Sequence, residues 1–334
     1  MSKMKTILLH NVYDEMNRNN IVFQPDSPYN RDDCLIHLSH LKEKLAEQGY
    51  DLQTIDQGDV LTCDYLLFFD MPAFIPSLEQ FYFLQYMKSI AYRKKMLLFL
   101  WEPPVVNEQN WTARYHAYFQ TIFTWYDDLA GNGDYVKIHY VQPERRYQGA
   151  AFSEKKFCTM INGNRSSNHS LELYSERLRA IRFFETHHPE DFELYGFAWD
   201  QADFPSYRGT IKEKGDILSR YKYAVCFENM AHVNGYITEK IFDCFRAGCV
   251  PVYLGAANIT DYVPEGAFID FRKFNGYEQL YIFLKQITEE QYHVYMEHID
   301  RYLKSSLYAE RFSKEAFSQT VVDRIMALDQ SAAI

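Results

Sequence analysis

Two uninterrupted apolar runs, YLLFFD at Tyr65–Asp70 and KMLLFLW at Lys95–Trp101, constrain this chain more than any other feature. A strand that is apolar on every residue, not every second one, must be covered on both faces. That is the condition of a strand inside a parallel sheet. The neighbouring segments fit such a sheet. KTILLH (Lys5–His10) reads as a first strand, and Tyr50–Asp56 as a second. Between them Leu35, Leu38, Leu41 and Leu45 fall at helical spacing over Cys34–Gln48, and Gly49 ends that helix. Leu78–Arg93 reads as a further helix. Strands alternating with helices predict a parallel sheet with helices on both faces, and ligands of such sheets sit at the carboxyl ends of the strands.

At 334 residues the chain has room for two units of this kind. The polar stretch 140–156 reads as their connection, which gives expected domains of 1–150 and 151–334. A second alternation starts with a strand at Phe157–Ile161, a polar loop and a helix over Leu171–Thr186. It continues with a strand or turn at Phe192–Phe197 and ends in helical sequence over Tyr277–Ala327.

Net charge is −10, which argues against a nucleic-acid partner. No stretch of about 18 apolar residues is present, so nothing is expected to span a membrane. The opening MSKMKTILLHNVYDEMN turns polar too soon for a signal peptide. The six Cys lie mostly in apolar runs with no CxxC, which predicts reduced thiols in a cytoplasmic protein, peripheral contact with the inner face of a membrane being left open.

The stretch Tyr223–Gly255 carries the chemistry. It reads as a strand (YAVCF), a polar loop containing Gly235, a helix (TEKIFDCFRAG) and a second strand (VPVYLG). Thr238 can N-cap the helix and Gly248 can close it, with Ile241, Cys244 and Phe245 on its inner face. Lys240 in the first turn opposes the helix dipole, unless an anion binds there. Pairing with Asp243 at i+3 is the simpler alternative.

CFEN, GYITEKIFD and VPVYLG, in this order and spacing, resemble the donor motif of the α-1,3/4-fucosyltransferases (glycosyltransferase family 10) of bacterial type. The resemblance is strongest over 157–274 and fainter over 97–137. It implies a GT-B type α/β fold of two Rossmann-like domains. The amino-terminal domain would hold an oligosaccharide or glycolipid acceptor, such as the GlcNAc of an N-acetyllactosamine, and the carboxyl-terminal one GDP-fucose. It implies transfer with inversion and without a metal. The chain itself contains no Asp-x-Asp, and the adjacent His187 and His188 lack metal-site spacing.

By the same resemblance Glu102 is the general base, at the end of KMLLFLW, although Trp101-Glu102-Pro103 stands where the family often has Gly-Glu-Asn. Read without it, Glu102 is more commonly just an exposed loop Glu, though the two prolines after it would hold it rigidly; Glu108 is the next candidate for the base. Lys240 and Arg177 would contact the diphosphate, with Arg179 as fallback. Arg177, Arg179 and Arg182 also suit plain salt bridges to Glu172, Glu176 and Glu185. Tyr236, Asn229 and Glu239 would bind the donor, Glu239 accepting from sugar hydroxyls or balancing charge at C1. Taken alone, Glu239 is an ordinary first-turn Glu and Asn229 an ordinary turn residue. Two other readings stay open: transfer from another nucleotide sugar, and a non-catalytic glycan or sugar-nucleotide binding protein. No cofactor is expected.

Overall fold

The computed structural model describes residues 4–72, 85 and 95–332. The helix read over Leu78–Arg93 therefore falls, but for residue 85, outside the described residues. The chain forms two α/β units, one of Met1–Pro143 with Glu310–Ile334 and one of Glu144–Ala309.

The first unit has a six-stranded parallel sheet in the order β2-β1-β3-β4-β5-β6. Its strands are β1 (Lys5–Asn11), β2 (Tyr50–Thr54), β3 (Tyr65–Phe69), β4 (Met96–Leu100), β5 (Thr121–Thr124) and β6 (Tyr135–Lys137). Every residue of β3 and β4 is buried, as their apolar runs require. Helix α1 (Ile36–Glu47) buries Leu38, Leu41 and Leu45, and Gly49 at φ 84 turns the chain into β2. A one-turn helix α2 (Ala113–His116) precedes β5.

The second unit has a five-stranded parallel sheet in the order β11-β10-β9-β7-β8. In chain order it runs β7 (Lys156–Ile161), α3 (Tyr174–His187), β8 (Phe192–Tyr195), α4 (Lys214–Leu218), β9 (Tyr221–Phe227), α5 (Glu239–Arg246), β10 (Val250–Leu254) and β11 (Ile269–Asp270). Helices α6 (Tyr277–Gln286), α7 (Glu289–Leu303) and α8 (Ser306–Phe312) follow, then α9 (Lys314–Ala332). Phe184 stacks on Phe192 at 4.7 Å, and β9 and β10 line the centre of this core.

The division differs from the expected 1–150 and 151–334 in two ways. It falls at 143/144, because residues 144–155 already hydrogen-bond to the second unit: Tyr147 N–H donates to Arg246 O at 2.9 Å. The chain then returns, and α9 packs on α1 in the first unit. There Phe317, Val321, Val322, Ile325 and Leu328 share a core with Leu38, Leu41 and Leu45. Asp329 fixes its far end, accepting from Tyr65 Oη at 2.7 Å and from Tyr50 Oη, and pairing with Lys5 at 2.6 Å. An amphipathic helix can cover either sheet, and its own sequence does not say which. Of the six Cys, five are buried and Cys34 is exposed.

The first unit holds three histidines far below their usual range, the buried His10 and His37 and the half-buried His139. Burial holds His10 down to about 4 and His37 to about 3; burial, then the Lys137 and Arg311 cations, hold His139 to about 3. Unfolded, each takes up a proton near pH 6.5, so each contributes stability above that pH that is lost as pH falls towards 4. Asp70 offsets part of this, since burial raises its carboxyl to about 6. Between pH 7 and 5 we expect unfolding of this unit to become easier by roughly 3–5 kcal/mol. Calorimetric melts across that range check it; an unchanged melting temperature would mean that the folded unit takes up the protons.

Candidate active site

Each sheet has a switch point, where the chain has left a strand on one side and returned on the other. In open sheets of this kind ligands bind there, outside the carboxyl ends of the two central strands. In the second unit the switch point lies between β7 and β9, with the loops after Ile161 and Phe227 around it. The two loops are stitched together: Leu173 N–H donates to Asn229 O and Ala231 N–H to Leu171 O, both at 2.9 Å.

Glu228, the first residue past β9, is fully buried. Thr238 N–H donates to its Oε1 at 2.8 Å, Thr238 Oγ1 to its Oε2 at 2.7 Å, and Lys240 Nζ lies 3.3 Å from Oε2. Thr238 is also the N-cap of α5, with Oγ1 accepting from Lys240 N–H at 3.4 Å. One buried carboxylate thus fixes the start of α5 and the ammonium in its first turn. Gly255 is what makes room, since a Cβ there would lie 2.5 Å from Glu228 Cγ and 2.5 Å from Tyr253 Oη.

Lys240 is therefore not paired with Asp243. Asp243 is buried and takes Lys214 Nζ at 2.8 Å and Arg246 Nη2 instead. Burial disfavours charge on Lys240, but Glu239 and Glu228 outweigh it and raise its pKa, so the side chain is cationic. Glu239 is 41% exposed, with its Oε1 3.7 Å from Lys240 Nζ and 3.4 Å from Lys214 Nζ. Burial opposes its ionisation, and the Lys240 and Lys214 cations prevail, holding it well below the usual carboxylate range.

Arg177 on α3 reaches the same switch point. Its Nε and Nη2 donate to Phe227 O at 3.2 and 2.7 Å, and Nη2 donates to Asn229 Oδ1 at 2.9 Å. It is 4% exposed, and its Nη1 makes no hydrogen bond among the described residues. Burial lowers its pKa, against Glu228, Tyr174 and Tyr236. The other two arginines of this helix turn away from the switch point: Arg179 makes a surface pair with Glu176 at 2.6 Å, and Arg182 pairs with Glu185 while lying 4.0 Å over Phe204. Tyr236 is 1% exposed, the most enclosed of the expected donor residues. His187 is exposed, whereas His188 stacks on Tyr281 at 3.5 Å. The structure thus gathers Arg177, Asn229, Tyr236, Glu239 and Lys240 at one switch point.

Glu102 belongs to the first unit, two residues past the end of β4. It is half-buried, not a free loop carboxylate, and Glu108 is exposed. Its backbone is held by side chains more than by the prolines after it. Asp70, just past β3, accepts at Oδ1 from Trp101 N–H at 2.7 Å and Glu102 N–H at 3.0 Å. Asn110 Nδ2 and Trp111 Nε1 donate to Glu102 O at 3.0 and 3.1 Å. Trp101 itself is a packing plate, stacked on His37 at 5.0 Å with its carbonyl accepting from Trp125 Nε1 at 2.8 Å.

Asp70, Asn110, Glu228 and Lys214 are not among the residues that the sequence alone points to. Glu228 carried a signal, since it stands inside CFEN at the end of an apolar strand. Asp70 carried a weaker one at the end of YLLFFD. Lys214 and Asn110 carried none, because their partners are distant in sequence.

The two α/β units have the fold of GT-B glycosyltransferases. An α1,3-fucosyltransferase solved with GDP superposes over 99% of this chain and 91% of its own, at TM-score 0.54 and 15% identity. HepE of Anabaena, solved with UDP and glucose, covers 97% and 99% at TM-score 0.56 and 9% identity. At these identities the likeness speaks for the fold alone. The family follows from sequence. The profile of glycosyltransferase family 10 (fucosyltransferase), C-terminal part, matches residues 144–326, more than half of the chain, and the protein belongs to that family. An α-(1,4)-fucosyltransferase of Arabidopsis thaliana is 38% identical over 73 residues, 22% of this chain and 18% of its own length. A 4-galactosyl-N-acetylglucosaminide 3-α-L-fucosyltransferase 9 of Mus musculus is 29% identical over 140 residues, 41% of this chain and 34% of its own. The alignments thus span about a fifth and a third of those relatives.

The packing around Glu228 can be tested directly. Gly255→Ala should destabilise the second unit by about 1–3 kcal/mol, the usual cost of overpacking, as read by urea unfolding. A variant as stable as the parent would mean that Glu228 has room to move.

Proposed function

We propose that this protein is an inverting α-1,3- or α-1,4-fucosyltransferase that moves L-fucose from GDP-β-L-fucose to a glycan hydroxyl, such as that of a GlcNAc in an N-acetyllactosamine. One observation carries the donor side: Lys240, the N-terminus of α5 and Arg177 converge on the switch-point crevice of the second unit. Two cations and a helix N-terminus in one crevice suit a diphosphate. Membership of family 10 supports fucose as the sugar.

In this reading the acceptor oxygen attacks C1 as Glu102 takes its proton. The bond from C1 to the GDP oxygen breaks, and its electron pair passes to the diphosphate. Lys240, Arg177 and the α5 N–H groups neutralise that charge, with no metal assigned a part. Asn229 and Tyr236 hold the donor. Glu239 accepts from its hydroxyls or balances positive charge at C1; its lowered pKa keeps it ionised for either task.

Titration calorimetry with GDP-fucose in EDTA, alongside GDP-mannose and UDP-galactose, tests the donor. Selective binding of GDP-fucose is expected. Selective binding of another nucleotide sugar would discard fucose, and binding of none would discard the donor site. Lys240→Ala should weaken GDP about tenfold or more and lower turnover with it, because a phosphate contact acts in ground and transition states alike. Unchanged affinity would remove Lys240 from the diphosphate. Glu102→Gln should cut kcat by about a hundredfold or more while GDP-fucose affinity holds, and a near-normal rate would move the base elsewhere.

A further inference from the structure

Resting on the reading of Glu102 as general base, we infer that Asp70 is its positioning residue and acts with Asn110 and Trp111. The observation is a closed set of bonds around one short piece of backbone. Asp70 is 1% exposed and sits at φ 68, a conformation that Asp adopts at modest cost and most residues avoid. Its N–H donates to Phe99 O at 3.0 Å, which ties it to β4 one strand over. Its Oδ1 receives the amides of Trp101 and Glu102, and Asn110 Nδ2 at 2.5 Å. The same Nδ2 donates to Glu102 O at 3.0 Å, so Asn110 bridges Asp70 to the far side of Glu102.

Asn110 is itself held. Its Oδ1 accepts from Met71 N–H at 2.7 Å, and its carbonyl from His116 Nε2 at 2.6 Å. His116 Nδ1 lies 2.8 Å from Tyr135 Oη; the tautomer that serves both contacts has its hydrogen on Nε2 and accepts from the tyrosine. Glu102 thus has its N–H and its C=O both taken by side chains anchored to other strands. Placing a buried carboxylate there is costly: burial raises the Asp70 pKa, against the donors that favour its charge. Plain loop closure does not need a carboxylate, which a neutral turn would replace. A base that must meet one hydroxyl at hydrogen-bond distance does need a backbone that cannot drift, because small displacements are expensive in rate.

The test measures GDP released from GDP-fucose with N-acetyllactosamine present, which counts transfer to sugar and to water alike. It uses the full chain and the variants Asp70→Ala, Asp70→Asn, Glu102→Gln and the Asp70→Ala/Glu102→Gln double. We expect Asp70→Ala to lower kcat about 30- to 100-fold with GDP affinity unchanged. Asp70→Asn should recover most of the rate, since its Oδ1 still accepts the two amides. The double variant should be no slower than Glu102→Gln alone, because Asp70 acts through Glu102. A rate for Asp70→Ala within threefold of the parent, or losses that multiply in the double variant, would overturn the inference. A near-normal Glu102→Gln would instead overturn the base itself. If Asp70→Ala does not fold, Trp111→Phe, which removes the Nε1 bond to Glu102 O and trims the ring that meets Trp125 and Tyr126, takes its place in the same cycle with a smaller expected loss. If the parent releases no GDP, the donor reading fails, and hydrogen exchange at the Trp101 and Glu102 amides decides the positioning: faster exchange in Asp70→Asn or Asp70→Ala supports it, and equal rates overturn it.

Discussion

The second unit depends on a carboxylate that water does not reach. Glu228 is fully buried, and a buried charge is tolerated only when it is paired and hydrogen-bonded. Here Thr238 supplies two hydrogen bonds and Lys240 the opposite charge. The arrangement also answers why a lysine stands in a first helical turn. The dipole of α5 disfavours it, but Glu228 lies beneath it and Glu239 beside it. Removing one partner would leave the other charge buried alone, which costs far more than the pair is worth. The cationic end of α5 is therefore fixed by the packing of Glu228 under Gly255.

The fold was legible because burial on both faces leaves a mark in sequence. YLLFF and MLLFL are apolar throughout, and both are central strands. The strands and helices around α5 were readable for the same reason, together with Thr238 at its cap and Gly248 past its end at φ 64. Helix α9 shows the limit. Its apolar stripe demands a partner but does not name one, and the partner turned out to be α1, nearly three hundred residues earlier. Distance along the chain hides Asn110 and Lys214 in the same way. The ion pair that frees Lys240 from Asp243 depends on Lys214, 29 residues away, and no helical spacing rule contains it.

The candidate site shows a second kind of illegibility. Three arginines on α3 look alike in sequence, each with a glutamate at hand. Geometry separates them, because only Arg177 faces the end of β9, where Phe227 O and Asn229 Oδ1 take its donors. Arg179 is largely exposed, and Arg182 is spent on Phe204 and Glu185. The phase of a helix against its sheet decides this, and a phase error of one residue moves a side chain by about 100°.

The two units solve one problem in the same way. In each, the strand just beyond the switch point, β3 or β9, ends in Phe and is followed by a buried acid, Asp70 or Glu228. Each acid donates its N–H to the neighbouring strand, Asp70 to Phe99 O and Glu228 to Leu254 O, so both occupy one position relative to their sheets. Each then accepts backbone N–H groups from a loop that carries a candidate site residue, those of Trp101 and Glu102 in one case and that of Thr238 in the other. A carboxylate suits this task, being an acceptor with several lone-pair sites that gathers donors a single carbonyl could not. The cost is the same in kind, a charge taken out of water at the edge of a crevice. What differs is the compensation. Glu228 has the Lys240 ammonium 3.3 Å away, whereas Asp70 has only neutral donors, and burial lifts its carboxyl to about 6. The anchor at Glu228 thus couples to the charge of Lys240, whereas the anchor under Glu102 rests on neutral donors alone.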